Sequence, residues 1–263
     1  MGGLDRNVGG VLARHVARKR ATYDIHLRQK TFPPAVSVCS VCVVVTSLKL
    51  VIFDCDGVLV DSEPLANTSF SRALKDQGLD WSVEETMRRL MGRSMKSCIE
   101  IVEGVLGRSL PGDFVDRLQA DTMQAFHDAP LKPVAGVAKA IDAIEAAGAA
   151  TCVASSGSLD KMRVTLGITG LWSRFEGRIF SSSEVPRGKP FPDLFLHAAF
   201  RMNQQPFGCT VVEDSQPGIQ AARAAGMRAL AYVGAAYADR DALVVAGGEW
   251  FDDMRKLPPL VTM

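Results

Sequence analysis

A chain of 263 residues, 47% of them apolar, can bury a large hydrophobic core, as one domain with a sizeable insertion or as two small domains. The formal net charge is +1, with seven Lys/Arg against two Asp in residues 1–47 and a net charge of −4 in the rest. The body of the chain has no stripe of basic and aromatic residues, and no apolar stretch near the N-terminus is long enough to cross a bilayer. We therefore expect neither a nucleic acid nor a membrane as partner.

Residues 1–47 are predicted to form a basic, poorly ordered extension. Their Arg-rich, acid-poor composition also fits an organelle targeting segment, but serine is scarce and no amphipathic helix is evident. A start site placed too far upstream is a third interpretation, since the first strand pattern begins only at "SLKLVIFDCDG".

Cys39 and Cys42 form an isolated CxxC without a second Cys/His pair. The six scattered cysteines indicate free thiols in a reducing compartment, so we expect a cytoplasmic protein.

From residue 48 onward, short apolar segments alternate with longer segments of helical spacing. This alternation predicts a parallel sheet that helices cover on both faces, in an open, doubly wound, Rossmann-like α/β fold. The predicted strands cover residues 48–53, 150–154, 177–180, 209–212 and 228–232. The predicted helices between these strands cover residues 137–147, 159–166, 193–202 and 218–225.

The stretch between the first strand and Val134 interrupts this alternation, because it has helical spacing only. We therefore predict an α-helical cap domain at residues 64–131, inserted into a core domain made of residues 48–63 and 132–263. The exit loop "APLKPVAG", with two prolines and a glycine, is the predicted hinge. Four helices are predicted in the insertion, over residues 63–78, 82–90, 94–106 and 113–129.

Polar side chains follow the predicted strands at their carboxyl ends, where open parallel sheets bind ligands. After the first, second and fourth strands come Asp54, Asp56, Ser155, Glu213 and Asp214. Several carboxylates in one crevice repel one another unless a divalent cation binds among them, and oxygen ligands suit Mg²⁺. Lys189, in the loop "PRGKPFPD", and Ser155 would complement the charge of a phosphoryl group. One aspartate of the first pair would then attack phosphorus, and the other would handle a proton.

Four segments in a fixed order carry a resemblance to a known family. They are "DCDGV", "VASS", "GKPFPD" and "VVEDSQPGIQAARAAGM". Together they resemble the haloacid dehalogenase superfamily over the chain from about Leu48 to its end. The helical insertion after the first strand resembles the branch with a type I cap, which includes β-phosphoglucomutase and many sugar-phosphate phosphatases.

The resemblance implies roles for the first aspartate pair. Asp54 would be the nucleophile that forms an aspartyl-phosphate, and it would give an oxygen to Mg²⁺. Asp56 would protonate the leaving alcohol and then activate water, while its backbone carbonyl reaches the metal.

The resemblance also implies roles for the remaining motif residues. Phosphoryl oxygens would be held by Ser155 and Lys189, with Ser156 beside them as a further substrate-binding candidate. Asp214 would bind Mg²⁺, and Glu213 would bind it directly or through a water.

Substrate selection is expected from the cap, because the core handles only the phosphoryl group. Related enzymes place the selecting residues on a loop between cap helices, which corresponds to "LMGRSMKSC" in this chain. The candidates are Gly92, Arg93, Ser94 and Lys96, and a solvated basic helix start is the alternative interpretation.

Hydrolysis of a small phosphorylated metabolite, a sugar phosphate or a phosphorylated sugar acid, is the expected reaction, by a monomer or weak homodimer. β-Phosphoglucomutase has a histidine and an arginine where this chain has Ala66 and Met95. A mutase stays the alternative, because Lys96 or Arg93 could replace the arginine. A dehalogenase needs no metal, so the intact acidic motifs argue against that activity. A non-catalytic binding module could lose the nucleophile or the lysine, and this chain has both.

Overall fold

The sheet is built from parallel strands only. The structure, a computed structural model, describes residues 50–129 and 131–262, so the predicted extension with Cys39 and Cys42 lies outside it. In this part of the chain six strands form one sheet in the order β3-β2-β1-β4-β5-β6. Numbered along the chain, they are β1 (Leu50–Phe53), β2 (Ala150–Ser155), β3 (Ile179–Ser181), β4 (Cys209–Glu213), β5 (Arg228–Tyr232) and β6 (Glu249–Phe251).

Four helices are inserted in the chain between β1 and the remaining elements of the core. Serine hydroxyls cap two of these helices, since Ser82 accepts from the Glu85 N–H at 3.2 Å and Ser94 from the Ser97 N–H at 3.3 Å. The four helices share a hydrophobic cluster of their own, around Leu74. The boundaries of the cap domain, 64 and 131, stay a prediction. The helices of this insertion are α1 (Glu63–Asp76), α2 (Val83–Leu90), α3 (Met95–Leu106) and α4 (Phe114–Asp128).

Helices cover both faces of the sheet. Val51 and Phe53 pack in one cluster with Ile141, while Leu50 and Ile52 pack in the other cluster, on the opposite face. Strands buried on both faces read as continuous apolar segments, which explains why the sequence pattern was clear. The remaining helices are α5 (Val137–Ala146), α6 (Leu159–Ile168), α7 (Trp172–Phe175), α8 (Asp193–Arg201), α9 (Gln216–Ala224), α10 (Arg240–Val245) and α11 (Leu257–Thr262). The predicted doubly wound α/β fold is confirmed.

The sequence prediction differs from the structure in several details, of which the following are examples. The sheet has a sixth strand, β6, which escaped prediction because it has three residues at the edge and exposes Glu249 and Trp250. Helix α6 does not end before Gly167 but continues to Ile168, and the left-handed residue that follows it is Gly170, at φ +72°. No helix in the described part of the chain is both long enough and apolar enough to cross a membrane.

The strand order places a ligand crevice beside β1. The connections from β1 lead to β2 and β3 on one side, whereas β4, β5 and β6 lie on the other side. Such a reversal opens a crevice at the carboxyl ends of the two strands that flank it, here β1 and β4. The register pairs Phe53 with Val212, and the Asp54 N–H donates to the Val212 carbonyl at 3.0 Å. Asp54 and Glu213 are therefore neighbours at this edge.

Candidate active site

Lys189 is buried between two carboxylates from neighbouring strands. Its Nζ lies 2.8 Å from Asp54 Oδ1 and 2.5 Å from Glu213 Oε1, and the residue is only 1% exposed. The other oxygen of Glu213, Oε2, accepts from the backbone N–H and the hydroxyl of Ser215, both at 2.8 Å. Glu213 is thus fixed from behind, and it holds the lysine against Asp54.

Three carboxylates meet beside this lysine in an arrangement that could hold a divalent cation. Asp54, Glu213 and Asp214 each place one oxygen within 4.8 Å of the others. Asp214 Oδ2 is buried and has no hydrogen-bond partner among residues 50–129 and 131–262, and such an oxygen is costly to bury. Gly57 leaves room for it, because a Cβ at Gly57 would lie 1.8 Å from Asp214 Oδ2. A buried carboxylate oxygen without a partner, beside two further carboxylates, fits a hard cation.

The electrostatics of these groups favour added positive charge. Burial raises the pKa of Asp54 to about 7, although Lys189 acts to lower it. Burial, followed by the charge of Glu213, raises the pKa of Asp214 well above its ordinary range. Burial alone would lower the pKa of Lys189, but Asp54 and Glu213 raise it above its ordinary value. The lysine therefore stays charged, and a further cation would favour the ionised form of both aspartates.

Asp56 lies beside this group, but its side chain has other partners. Ser62 Oγ donates to Asp56 Oδ1 at 2.5 Å, and Lys161 Nζ lies 2.9 Å from Oδ2. Burial alone would raise the pKa of Asp56, but Lys161 and Ser62 bring it below its ordinary value. The Asp56 carboxylate is not one of the three that meet at the candidate metal site. The implied contact of its backbone carbonyl with a metal stays a prediction.

Ser155, the last residue of β2, and Ser156, which follows it, have different partners. Ser155 is buried, and its Oγ accepts from the Gly157 N–H at 3.2 Å. Ser156 Oγ donates to the backbone carbonyl of Gly92 at 3.0 Å. Ser156 therefore joins the core to the helical insertion, while the hydrogen bond of Ser155 Oγ stays within the core.

A cavity of about 650 Å³ lies between the core loops and the insertion. Asp54 and Asp56 are part of its wall. Arg93 and Lys96 form no ion pair within the part of the chain that the structure describes, so their charges are available to a ligand. The wall also contains every residue that the sequence suggested for substrate binding: Gly92, Arg93, Ser94, Lys96, Ser155, Ser156 and Lys189.

Sequence reasoning missed several polar residues at this site. Glu63 and Lys161 line the cavity, and Ser62 contacts Asp56. Asn67 donates to Glu63 Oε2 at 2.6 Å, and burial, followed by the charge of Asp56, raises the pKa of Glu63 to about 7. One of these residues, Lys161, could have been suggested from the sequence. It lies in the first turn of a helix that starts shortly after β2, at the edge of the sheet where ligands bind.

Comparison with known proteins identifies the family. The profile of the haloacid dehalogenase-like hydrolases matches residues 51–232. The 6-phosphogluconate phosphatase of Escherichia coli (strain K12) is 31% identical over 180 residues, which cover 68% of this chain and 80% of the relative. The phosphorylated carbohydrates phosphatase of Thermotoga maritima is 29% identical over 201 residues, covering 76% and 92%.

A solved structure agrees with this assignment. The crystal structure of a haloacid dehalogenase-like protein of unknown function from Agrobacterium tumefaciens str. C58 superposes with a TM-score of 0.69 at 34% identity. The match covers 81% of this chain and 97% of that one. The chain belongs to the haloacid dehalogenase-like hydrolase family, which confirms the resemblance seen in the sequence.

Proposed function

We propose that this chain is a Mg²⁺-dependent phosphomonoesterase that hydrolyses a small phosphorylated sugar or sugar acid through an aspartyl-phosphate on Asp54. The observation that carries the proposal is the buried contact of Lys189 with Asp54 on the floor of a cavity of about 650 Å³. An anionic nucleophile and a fixed ammonium, side by side, suit transfer of a phosphoryl group. The names of the two curated relatives, both phosphatases of phosphorylated sugars or sugar acids, support the same substrate class.

The metal would be held at the three-carboxylate group. Asp54 and Asp214 would bind it through their side chains, Asp56 through its backbone carbonyl, and Glu213 directly or through a water. The unpartnered Oδ2 of Asp214 supports this assignment, since a cation would satisfy it. When bound, the ion neutralises the clustered carboxylates and the charge on the phosphoryl oxygens.

The chain's own residues would divide the chemistry as follows. Asp54 attacks phosphorus, and Lys189 and Ser155 bind phosphoryl oxygens as the charge moves onto Asp54. Asp56 gives a proton to the leaving alcohol and then takes one from the water that cleaves the aspartyl-phosphate. The insertion above the cavity excludes bulk water during both steps.

The walls of the cavity favour hydrolysis over mutase chemistry. Ala66 and Met95 line it at the two positions where the mutase has a histidine and an arginine. Neither side chain can bind a second phosphate. Arg93 and Lys96 instead suit the hydroxyls or the carboxylate of a singly phosphorylated sugar or sugar acid.

Phosphate release from a panel of esters tests the proposal. We expect the purified chain to hydrolyse p-nitrophenyl phosphate, sugar phosphates and 6-phosphogluconate with Mg²⁺, and to lose this activity in excess EDTA until Mg²⁺ is restored. In parallel, β-glucose 1-phosphate should be hydrolysed to free phosphate faster than it is converted into glucose 6-phosphate. Undiminished hydrolysis in EDTA would refute the metal dependence, and dominant formation of glucose 6-phosphate would establish the mutase.

Gly92→Ala should weaken the contact between insertion and core. Gly92 has φ +76°, and a Cβ there would lie 2.1 Å from Ser215 Oγ. Because a displacement of about 1 Å can cost about 100-fold in rate, we expect kcat/KM to fall by about 10- to 100-fold. The matched control is Gly107→Ala, with φ +66° and no atom within 4 Å of the new Cβ, which carries only the left-handed backbone penalty of about 1–2 kcal/mol. Equal kinetic losses in the two variants would show that contact with Ser215 is unimportant.

A further inference from the structure

We propose that Lys161 is a positioning residue that holds Asp56 in the orientation for proton transfer; the inference rests on the proposed function. Lys161 Nζ lies 2.9 Å from Asp56 Oδ2, and their side chains are only 21% and 10% exposed. Lys189, the lysine of the recognised motifs, serves Asp54 and Glu213 instead. The site thus has two lysines, each paired with a different aspartate of the first strand motif.

Several contacts hold Lys161 in this position. The hydroxyl of Ser158 caps α6 by accepting from the Lys161 N–H at 3.2 Å, which fixes the start of the helix. Gly157 lies against the same pair, because a Cβ there would be in ordinary van der Waals contact, 3.5 Å from both Lys161 Cδ and Asp56 Oδ2. The ammonium also lies 5.8 Å from the ring centroid of Phe126, which belongs to the insertion. Core and insertion therefore both constrain the lysine.

The pair of donors on Asp56 explains what Lys161 does. Ser62 donates to Oδ1 and Lys161 to Oδ2, so each carboxylate oxygen has one donor. A carboxyl group rotates readily about its terminal bond, and donors on both oxygens fix its plane. Without Lys161, only the serine would remain to orient the group. The acidic neighbour Glu63 accepts from Asn67 and makes no hydrogen bond to Asp56 within the described part of the chain.

The leaving group makes this role measurable. As an oxygen of Asp54 bonds to phosphorus, the bond between phosphorus and the ester oxygen breaks, its electron pair stays on that oxygen, and the oxygen takes a proton that Asp56 has first taken up from solvent. An alkyl alcohol needs this proton in order to leave, whereas nitrophenolate leaves readily as an anion. Loss of a residue that acts through Asp56 should therefore slow alkyl esters much more than aryl esters.

Lys161→Met tests the inference with glycerol 2-phosphate and p-nitrophenyl phosphate as probes. Because kcat/KM reports the steps through the first phosphoryl transfer, we expect it to fall by about 10- to 100-fold for glycerol 2-phosphate and by less than about threefold for p-nitrophenyl phosphate. Lys161→Arg should recover most of the loss. The matched control is Arg163→Met on the same helix, an exposed residue that stacks on Trp172, and it should change neither value.

Two further measurements exclude trivial causes. Urea unfolding shows whether Lys161→Met is folded, and Lys161→Gln is the polar replacement if it is not. In the Asp56→Asn background, Lys161→Met should cause no further loss with glycerol 2-phosphate, because its effect passes through Asp56. Equal losses on both esters, or no loss on either, overturn the inference alone. A wild-type chain that hydrolyses neither ester overturns the proposed function, and the inference with it.

Discussion

Asp54→Asn should lower phosphate release by about 10⁴-fold or more and leave the fold intact. The amide is nearly isosteric with the carboxylate but cannot attack phosphorus, and loss of a nucleophile usually costs several orders of magnitude. The buried ammonium of Lys189 keeps its contact with Glu213, so no charge is left without a partner. Steady-state phosphate release measures the first effect, and urea unfolding measures the second.

Asp61→Asn is the control for this substitution. Asp61 is exposed, lies in the same segment after β1, and is not part of the cavity wall. The control variant should keep wild-type activity. Activity of Asp54→Asn within tenfold of the wild type would contradict the assignment of the nucleophile, whatever its stability.

Of the substitutions proposed for this chain, Lys189→Met should lower the free energy of unfolding most. The substitution leaves Asp54 and Glu213 buried beside each other without the ammonium between them, and breaking a buried ion pair by removing one partner costs about 3–5 kcal/mol. The free energy of unfolding, from urea titrations, measures this loss. Lys132→Met, at an exposed lysine of the core, should change it by less than about 0.5 kcal/mol.

The loss in Lys189→Met should also depend on pH in a defined direction. Burial raises the pKa of Asp54 to about 7 even with the lysine present, and removing the lysine takes away a lowering influence. The folded variant then binds protons that the unfolded chain does not bind, so its stability falls as pH rises. Titrations at pH 6 and pH 8 without added metal should give the larger deficit at pH 8. An equal loss of stability at both pH values would show that repulsion between the carboxylates is not the cause of that loss.

Local patterns in the sequence were sufficient for the fold class and for most of the candidate site. Strands buried on both faces have continuous apolar segments, and the helices of the insertion follow the 3.6-residue period, so both were recognisable without any tertiary information. Asp54, Ser155 and Asp214 could be predicted because residues at the carboxyl ends of parallel strands meet at one edge. The short edge strand β6 lacked such a pattern.

Only the tertiary structure decided which of these residues contact one another. Lys189 and Asp54 are 135 positions apart in the chain, and no spacing rule indicates that Glu213 would anchor that lysine. The pairing of Lys161 with Asp56 likewise depends on how helix α6 packs against the loop after β1. The sequence by itself determined the kinds of side chain at the edge of the sheet, since local periodicity sets where strands end. Their pairing was decided by packing between distant segments, because hydrogen bonds and ion pairs act over a few ångströms in space, regardless of separation along the chain.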